Sequence, residues 1–331
     1  MSPTPSNPDR VAVIGLGLLG RGIAACFLGH GFEVVAVDSS DEQHASAREH
    51  IDRMIGEMVD RCGFPAGLRE QWSARYFPAK ECAAAQGCSF VVESVTEDVA
   101  IKAAVFNALE AVLDDTVVIS SNTSAIPITQ LQSDRKVPTR FVGIHWAQPA
   151  HATRFLELIR GEQTSEEAME AASAMGRRLS KEPSVCQRDI PAFIVNRISY
   201  AMYREALNLL ELGVADAETI DTAVRNTMGL WTSVCGPLRW IDVSGGPALY
   251  GKTMERVLPT LSTTPEITPT MRNLMESGAR GTTNGRGFYQ YTPEQAKEWE
   301  TLVEQHAWRV GALHQEYFPL PVPTAAKTEN L

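Results

Sequence analysis

The sequence predicts an α/β chain, a doubly wound and mainly parallel sheet followed by a smaller all-helical domain. Three observations carry this. Short β-branched runs alternate with helix-spaced stretches from residue 10 to about residue 180, the pattern of an open sheet covered by helices. A glycine cluster, GLGLLG at 15–20, stands where the first strand should meet the first helix. Past Pro183 the strand signal fades while helical spacing continues. The 331 residues also fit about two domains at roughly 150 residues each.

The first run, RVAVI at 10–14, is β-branched and leads directly into the glycines. Leu18 to His30 is rich in Ala, Leu and Ile and ends before Gly31, a helix with a glycine stop. EVVAVD at 33–38 then reads as a buried strand and completes a βαβ unit. Further strands are expected at 90–95 (FVVESV), 117–121 (VVISS), 141–146 (FVGIHW) and 156–159 (LELI), with helices at 99–113 and 165–180. The connector QRDIP at 187–191 marks the boundary, because the residue before a proline is biased away from helix. The expected division is 9–188, 189–300, and 301–331 for a C-terminal helix with an extended tail from about Phe318.

Hydrophobic residues make up 44% and charged residues 21%, enough to build a substantial core. The formal charge of −10 argues against a broad basic surface, so nucleic acid is not an expected partner, although a local basic pocket could still hold a phosphorylated ligand. The six cysteines contain no CxxC pair and read as reduced thiols, and no His/Cys spacing calls for a metal. The polar start lacks an apolar signal region, and no run reaches about 18 apolar residues. A soluble, cytoplasmic protein away from membranes is expected.

GLGLLG fits GxGxxG, and its context is specific: a strand before it, a helix after it, and Asp38 closing the second strand. Gly15 permits the tight turn, Gly17 lets a pyrophosphate approach the backbone, and Gly20 allows close helix packing. The N-terminus of the helix, beginning at Leu18 and Leu19, offers unpaired N–H donors to the phosphates. Asp38 can accept from ribose hydroxyls and would repel a 2′-phosphate, so NAD is expected rather than NADP. The alternative is a glycine turn needed only for packing, with Asp38 a surface acid.

Four more segments stand out: ESVTEDVAIK at 93–102, SNTSAI at 121–126, GIHWAQP at 143–149 running into LELI, and PAFIVNR at 191–197. With GRGFYQY at 285–291, these resemble the L-3-hydroxyacyl-CoA dehydrogenase superfamily in order and spacing over about residues 10–300. The resemblance implies a Rossmann-type NAD domain followed by a helical domain of the type shared with 6-phosphogluconate dehydrogenase, and a homodimer. It places the catalytic histidine at His145, its glutamate partner at Glu157, a substrate-contacting serine at Ser124 and a substrate-orienting asparagine at Asn196. Glu97 and Lys102 match additional cofactor contacts.

The chemistry fits these identities. Alcohol oxidation needs a base for the hydroxyl proton as hydride leaves carbon, and histidine suits neutral pH. A neighbouring carboxylate fixes the imidazole tautomer, while Ser124 and Asn196 can hydrogen-bond the reacting oxygen. Each residue also has a plainer reading: Ser124 and Asn196 as helix caps, and Glu157 as a surface acid. His151 is expected on a loop surface, and His44 and His50 in solvent.

Two departures bear on the substrate. Gln148 stands where the superfamily has asparagine before proline, keeping an amide with longer reach for cofactor or substrate. Arg154 replaces an apolar residue and could clamp a free carboxylate, or be an ordinary exposed loop arginine. The expected reaction is oxidation of an L-3-hydroxyacyl-CoA to the 3-oxoacyl-CoA, as in fatty acid metabolism. The alternative is a free hydroxy acid, since SAIPITQLQ and YTPEQ are similar to the pyridine-carboxylate dehydrogenases of bacterial vitamin B6 breakdown. A reading of another class is an NAD-binding protein without turnover, like the lens lambda-crystallins.

Overall fold

The computed structural model describes residues 9–320. Residues as far as Ile194 form one compact unit and Val195–Pro319 a second. The tail expected beyond residue 320 lies outside the described residues.

The first unit is an eight-stranded sheet in the order β3-β2-β1-β4-β5-β6-β7-β8. Its elements in chain order are β1 (Arg10–Ile14), α1 (Leu18–Gly29), β2 (Glu33–Val37), α2 (Asp41–Cys62), α3 (Leu68–Gln71) and β3 (Tyr76–Ala79). Then come β4 (Phe90–Glu93), α4 (Val99–Glu110), β5 (Val118–Ser121), α5 (Ile128–Gln132), β6 (Phe141–Trp146), β7 (Phe155–Ile159), α6 (Glu166–Arg178) and β8 (Glu182–Cys186). Strands β1 to β6 run parallel, whereas β7 is antiparallel to β6 and pairs in parallel with β8.

Alternation along the strands divides the core. Val11 and Val13 face one apolar cluster with Phe27 and Trp146, while Ala12 and Ile14 face another with Phe106 and Phe141. A sheet buried on both faces reads as a continuous apolar run, which is why these strands were visible in the sequence. The edge strands β3 (YFPA) and β8 (EPSVC) escaped sequence analysis because each is short, partly exposed and contains a proline.

Helix ends follow local chemistry. The Ser40 side chain accepts from the Gln43 N–H and Asp41 and Glu42 occupy the first turn of α2, which stops at Gly63 with φ +72°. Asp98 caps α4 by accepting from Ala100 and Ile101 N–H. The α1 N-terminus differs, since Gly17 provides no side-chain cap for its first N–H donors.

The second unit contains α7 (Val195–Glu211), α8 (Ala217–Thr232), α9 (Pro237–Val243), α10 (Gly246–Val257), α11 (Pro269–Glu276) and α12 (Pro293–Tyr317). Around GFYQY there are only isolated bridges among the described residues, and Gly285 is needed twice over, for its φ of +74° and because a Cβ there would come within 2.6 Å of the Tyr291 carbonyl oxygen. The C-terminal helix begins at Pro293, eight residues ahead of the expected boundary, where Thr292 and Gln295 form a reciprocal capping box.

Candidate active site

The carboxyl ends of β1, β2, β4, β5 and β6 carry many of the residues singled out in the sequence, at the edge where open α/β sheets bind ligands, with Lys102 in α4, Glu157 in β7 and Asn196 in α7. At the end of β1, Gly15 has φ +92°, and a Cβ there would lie 2.6 Å from the Ser94 carbonyl oxygen. A Cβ on Gly20 would lie 1.9 Å from the Gly15 carbonyl oxygen. Gly17 is the opposite case: a Cβ would meet no protein atom within 4 Å, so its backbone stands open to an incoming group. Leu18 is exposed and Leu19 half-buried beside it.

Asp38, just beyond β2, accepts from Leu16 N–H at 2.9 Å and Ser40 N–H at 3.0 Å. These two donors fix the carboxylate beside the glycine turn. An open backbone cradle, an uncapped helix start and an oriented acid fit a dinucleotide.

The turn after β4 faces the turn after β5. Glu97 accepts from Thr123 Oγ1 at 2.5 Å, Ser124 N–H at 2.8 Å and, less closely, Ser124 Oγ at 3.4 Å. This holds Ser124 in an exposed turn, and α5 begins only at Ile128, so Ser124 is not a helix cap. Beneath it, Lys102 is wholly buried and bonds Glu93 at 2.8 Å and 3.0 Å. Its ammonium also lies 3.3 Å from Glu97. Lys102, expected among the cofactor contacts, is placed with its charge directed to Glu93 and Glu97. The Lys102 ammonium and the Thr123 and Ser124 donors keep the Glu97 carboxyl below its ordinary range against the opposing effect of burial.

Glu93 and Asn122 were missed in the sequence. Glu93 is wholly buried and also accepts from Ser121 Oγ at 2.5 Å and Val95 N–H at 2.7 Å. Its signal was an acid at the end of an apolar strand run, which requires a partner. Asn122 donates to Ser94 Oγ at 3.0 Å and accepts from Trp146 N–H at 3.2 Å, joining the ends of β4, β5 and β6.

His145 and Glu157 lie directly opposite in the β6–β7 register. His145 Nδ1 is 3.0 Å from Glu157 Oε2, and Glu157 Oε1 accepts from Ile194 N–H at 2.9 Å. Glu157 is 1% exposed, which removes the reading of a surface acid. The imidazole stands edge-on to Phe155 at 5.5 Å and tilted to Phe193 at 6.2 Å. Phe193 and Ala192 have φ of +51° and +66°, left-handed conformations uncommon outside glycine, and they precede the N–H that binds Glu157. With Nδ1 directed to the carboxylate, Nε2 is the ring nitrogen that Glu157 leaves unengaged.

The other residues are placed as follows. Gln148 is exposed in the segment after β6, and Asn196 is half-buried in the first turn of α7. Arg154 forms an ion pair with Glu182 at 3.2 Å and its side chain is 13% exposed, so it is neither an exposed loop arginine nor uncompensated. His151 was expected on a loop surface, but its side chain is 5% exposed because Glu57 of α2 bonds Nε2 at 2.6 Å. His44 and His50 are half-buried, with His44 Nε2 against the Asp38 and Ala79 carbonyls and His50 Nδ1 against the Ser46 carbonyl.

The sequence profile described as 3-hydroxyacyl-CoA dehydrogenase, NAD binding domain, matches residues 10–190, and the C-terminal domain profile matches residues 193–291. The chain belongs to the 3-hydroxyacyl-CoA dehydrogenase family. Members are NAD-dependent oxidoreductases acting on CH–OH groups, and NAD is the cofactor of this fold. A curated relative from Mesorhizobium japonicum, 5-formyl-3-hydroxy-2-methylpyridine 4-carboxylate 5-dehydrogenase, is 32% identical over 87% of this chain and 92% of its own length. A solved structure of a dehydrogenase of that name, described as an NAD+-dependent dismutase, superposes with a TM-score of 0.84 at 30% identity, covering 94% of this chain and 99% of that one. The (S)-3-hydroxybutyryl-CoA dehydrogenase of Ralstonia eutropha gives 0.71 at 29% identity, covering 86% and 100%. Among the described residues no helix is long and apolar enough to cross a membrane.

Proposed function

We propose that the chain oxidises the secondary alcohol of an L-3-hydroxyacyl-CoA to the ketone, with NAD accepting the hydride and His145 taking the hydroxyl proton on Nε2. The observation that carries this is the His145–Glu157 pair, whose 3.0 Å contact leaves one imidazole nitrogen for the substrate. Glu157 sets the tautomer and stabilises the imidazolium as it forms. Ser124, held by Glu97, offers a hydroxyl to the substrate oxygen. Asp38 and the open backbone at Gly17 bind the dinucleotide.

A second reading, a small substrate carrying its own carboxylate, is favoured by the basic residues of α2 to β3. Arg69 is held by Asp60 at 2.6 Å, Arg75 donates to the Leu28 carbonyl at 2.9 Å, and Lys80 pairs with Asp41 at 2.8 Å. Arg48 lies 5.5 Å from the Trp72 ring centroid, and Arg53 is 3.8 Å from Glu57. These cations already have internal acceptors, which leaves less for the phosphates of CoA. The likeness to the pyridine-carboxylate enzyme points the same way.

Steady-state NAD reduction with L-3-hydroxybutyryl-CoA beside free hydroxy acids, with His145→Ala as control, tests both. Histidine-dependent turnover of the thioester supports the first reading, and turnover of free acids alone supports the second. We also propose a homodimer, because Leu230, Leu238, Val243 and Leu249 of the helical unit are all more than half exposed. Light scattering that returns a monomer overturns it.

A further inference from the structure

Lys181 lies between α6 and β8, and the residue is only 4% exposed. Among the described residues no carboxylate pairs with it. Its Nζ donates to the carbonyls of Ala150 and Thr153 and lies 5.3 Å from the Trp146 ring centroid. The buried Cys26 thiol nearby is raised by burial and supplies no anion, and burial pushes the Lys181 ammonium below its ordinary value. A buried amine met only by carbonyl dipoles and a ring face is costly unless that geometry serves a purpose.

The backbone is built to aim it. Ser180 takes φ +56°, Lys181 N–H returns to the Gly176 carbonyl at 3.0 Å, and a Cβ on Gly176 would come within 2.6 Å of Leu156. What Lys181 grips is the segment 147–154, which leaves β6 one residue after His145 and enters β7 two residues before Glu157. The same segment packs Ala150 against Gly22 of α1 and bonds His151 to Glu57 of α2. Trp146 and Phe155 flank the catalytic pair in sequence, and Phe155 touches the imidazole.

We propose that Lys181 is a positioning residue for the catalytic pair, clamping the β6–β7 connection so that the His145 imidazole and Glu157 carboxylate keep their alignment. This rests on the reading of His145 as the base. A displacement of about 1 Å at reacting groups can cost on the order of a hundred-fold in rate.

The test uses Lys181→Met, which keeps the apolar stem and removes the donors, and Lys181→Gln, which restores two N–H donors without charge. Hydrogen exchange of the 147–154 peptide reads the clamp without substrate. In the Met variant, exchange in this peptide should quicken and kcat should fall, each by about ten-fold, while the NADH dissociation constant stays within about two-fold. The Gln variant should recover part of kcat, and should the Met variant fail to fold, the exchange of the Gln variant against the parent decides. Unchanged exchange in the folded variant overturns the clamp whatever the activity. A kcat within about two-fold of the parent overturns the positioning role, as does a parallel loss of kcat and NADH affinity without recovery by Gln. Quickened exchange in a protein whose parent turns over no hydroxy substrate leaves the clamp standing and removes the reading of His145.

Discussion

Replacing Glu157 by glutamine is the sharpest probe of the site. Among the partners of Glu157 are His145 Nδ1, on Oε2, and the Ile194 N–H, on Oε1. The Ile194 donor requires an oxygen, so the amide of a glutamine places its nitrogen toward His145. An N–H facing Nδ1 favours the tautomer with the proton on Nε2, the nitrogen that must accept from substrate. The variant also removes a negative charge. At about 4 Å between charge centres and an effective dielectric near 20, the imidazolium loses roughly 4 kcal/mol of stabilisation. That corresponds to about a thousand-fold in rate, and the tautomer error acts in the same direction. The assay is NADH formation at saturating substrate, with NADH affinity and thermal midpoint measured beside it. Expected are a kcat lower by about 10³ and NADH affinity within about two-fold. A Glu157→Gln variant retaining more than about a tenth of kcat refutes the pair as base and orienter.

Glu93→Gln should cost about 3 kcal/mol in denaturant unfolding, because Lys102 would keep its buried charge with only Glu97 beside it, and Glu93→Leu with Lys102→Met should recover much of the loss. Ala192→Gly should leave stability within about 0.5 kcal/mol or raise it, since relief of the +66° φ offsets the greater freedom of the unfolded glycine, while Ala192→Val should lower it by about 1–2 kcal/mol. Burial pushes His30 down from 6.5 to about 4, so the folded state holds it neutral. Its contribution is complete above pH 6.5 and is lost as pH falls toward 4, by about 1.4 kcal/mol for each pH unit across that window. Thermal midpoints between pH 4 and 7 should therefore fall more steeply for the parent than for His30→Gln, and parallel curves would count against the assignment.

Much of the fold was legible because parallel strands buried on both faces are continuous apolar runs, and because GLGLLG and Asp38 share one βαβ unit. What escaped were features whose physics lies in pairing between distant residues. Glu93 and Lys102 are nine residues apart in sequence, yet the turn after β4 brings both into the core, where either charge alone would be untenable. His151 reads as polar loop, and only the packing of α2 against the segment after β6 buries it on Glu57. Lys181 was not singled out, because the left-handed turn at Ser180 that precedes it leaves no mark in the sequence. The strain at Ala192 and Phe193 is hidden for the same reason, since neither residue is one that usually announces a positive φ.

The direction of β7 explains why the His145–Glu157 pair forms. Directly opposed residues of an antiparallel pair carry their Cβ atoms about 5 Å apart on the same face, close enough for an imidazole and a carboxylate to meet. The register His145↔Glu157 makes them such a pair. The chain reaches it through a short connection, 147–154, where a parallel β7 would need a crossover of a dozen residues or more. A slip of one residue would send Glu157 to the other face and bring Leu156 or Leu158 against the imidazole. Those leucines are wholly buried in the cluster beneath the opposite face, so the slip would also expose a core to gain nothing. The sheet's own burial thus holds the register that the proposed chemistry needs, and the reversal at β7, an exception in a parallel sheet, is what sets Glu157 of LELI against His145.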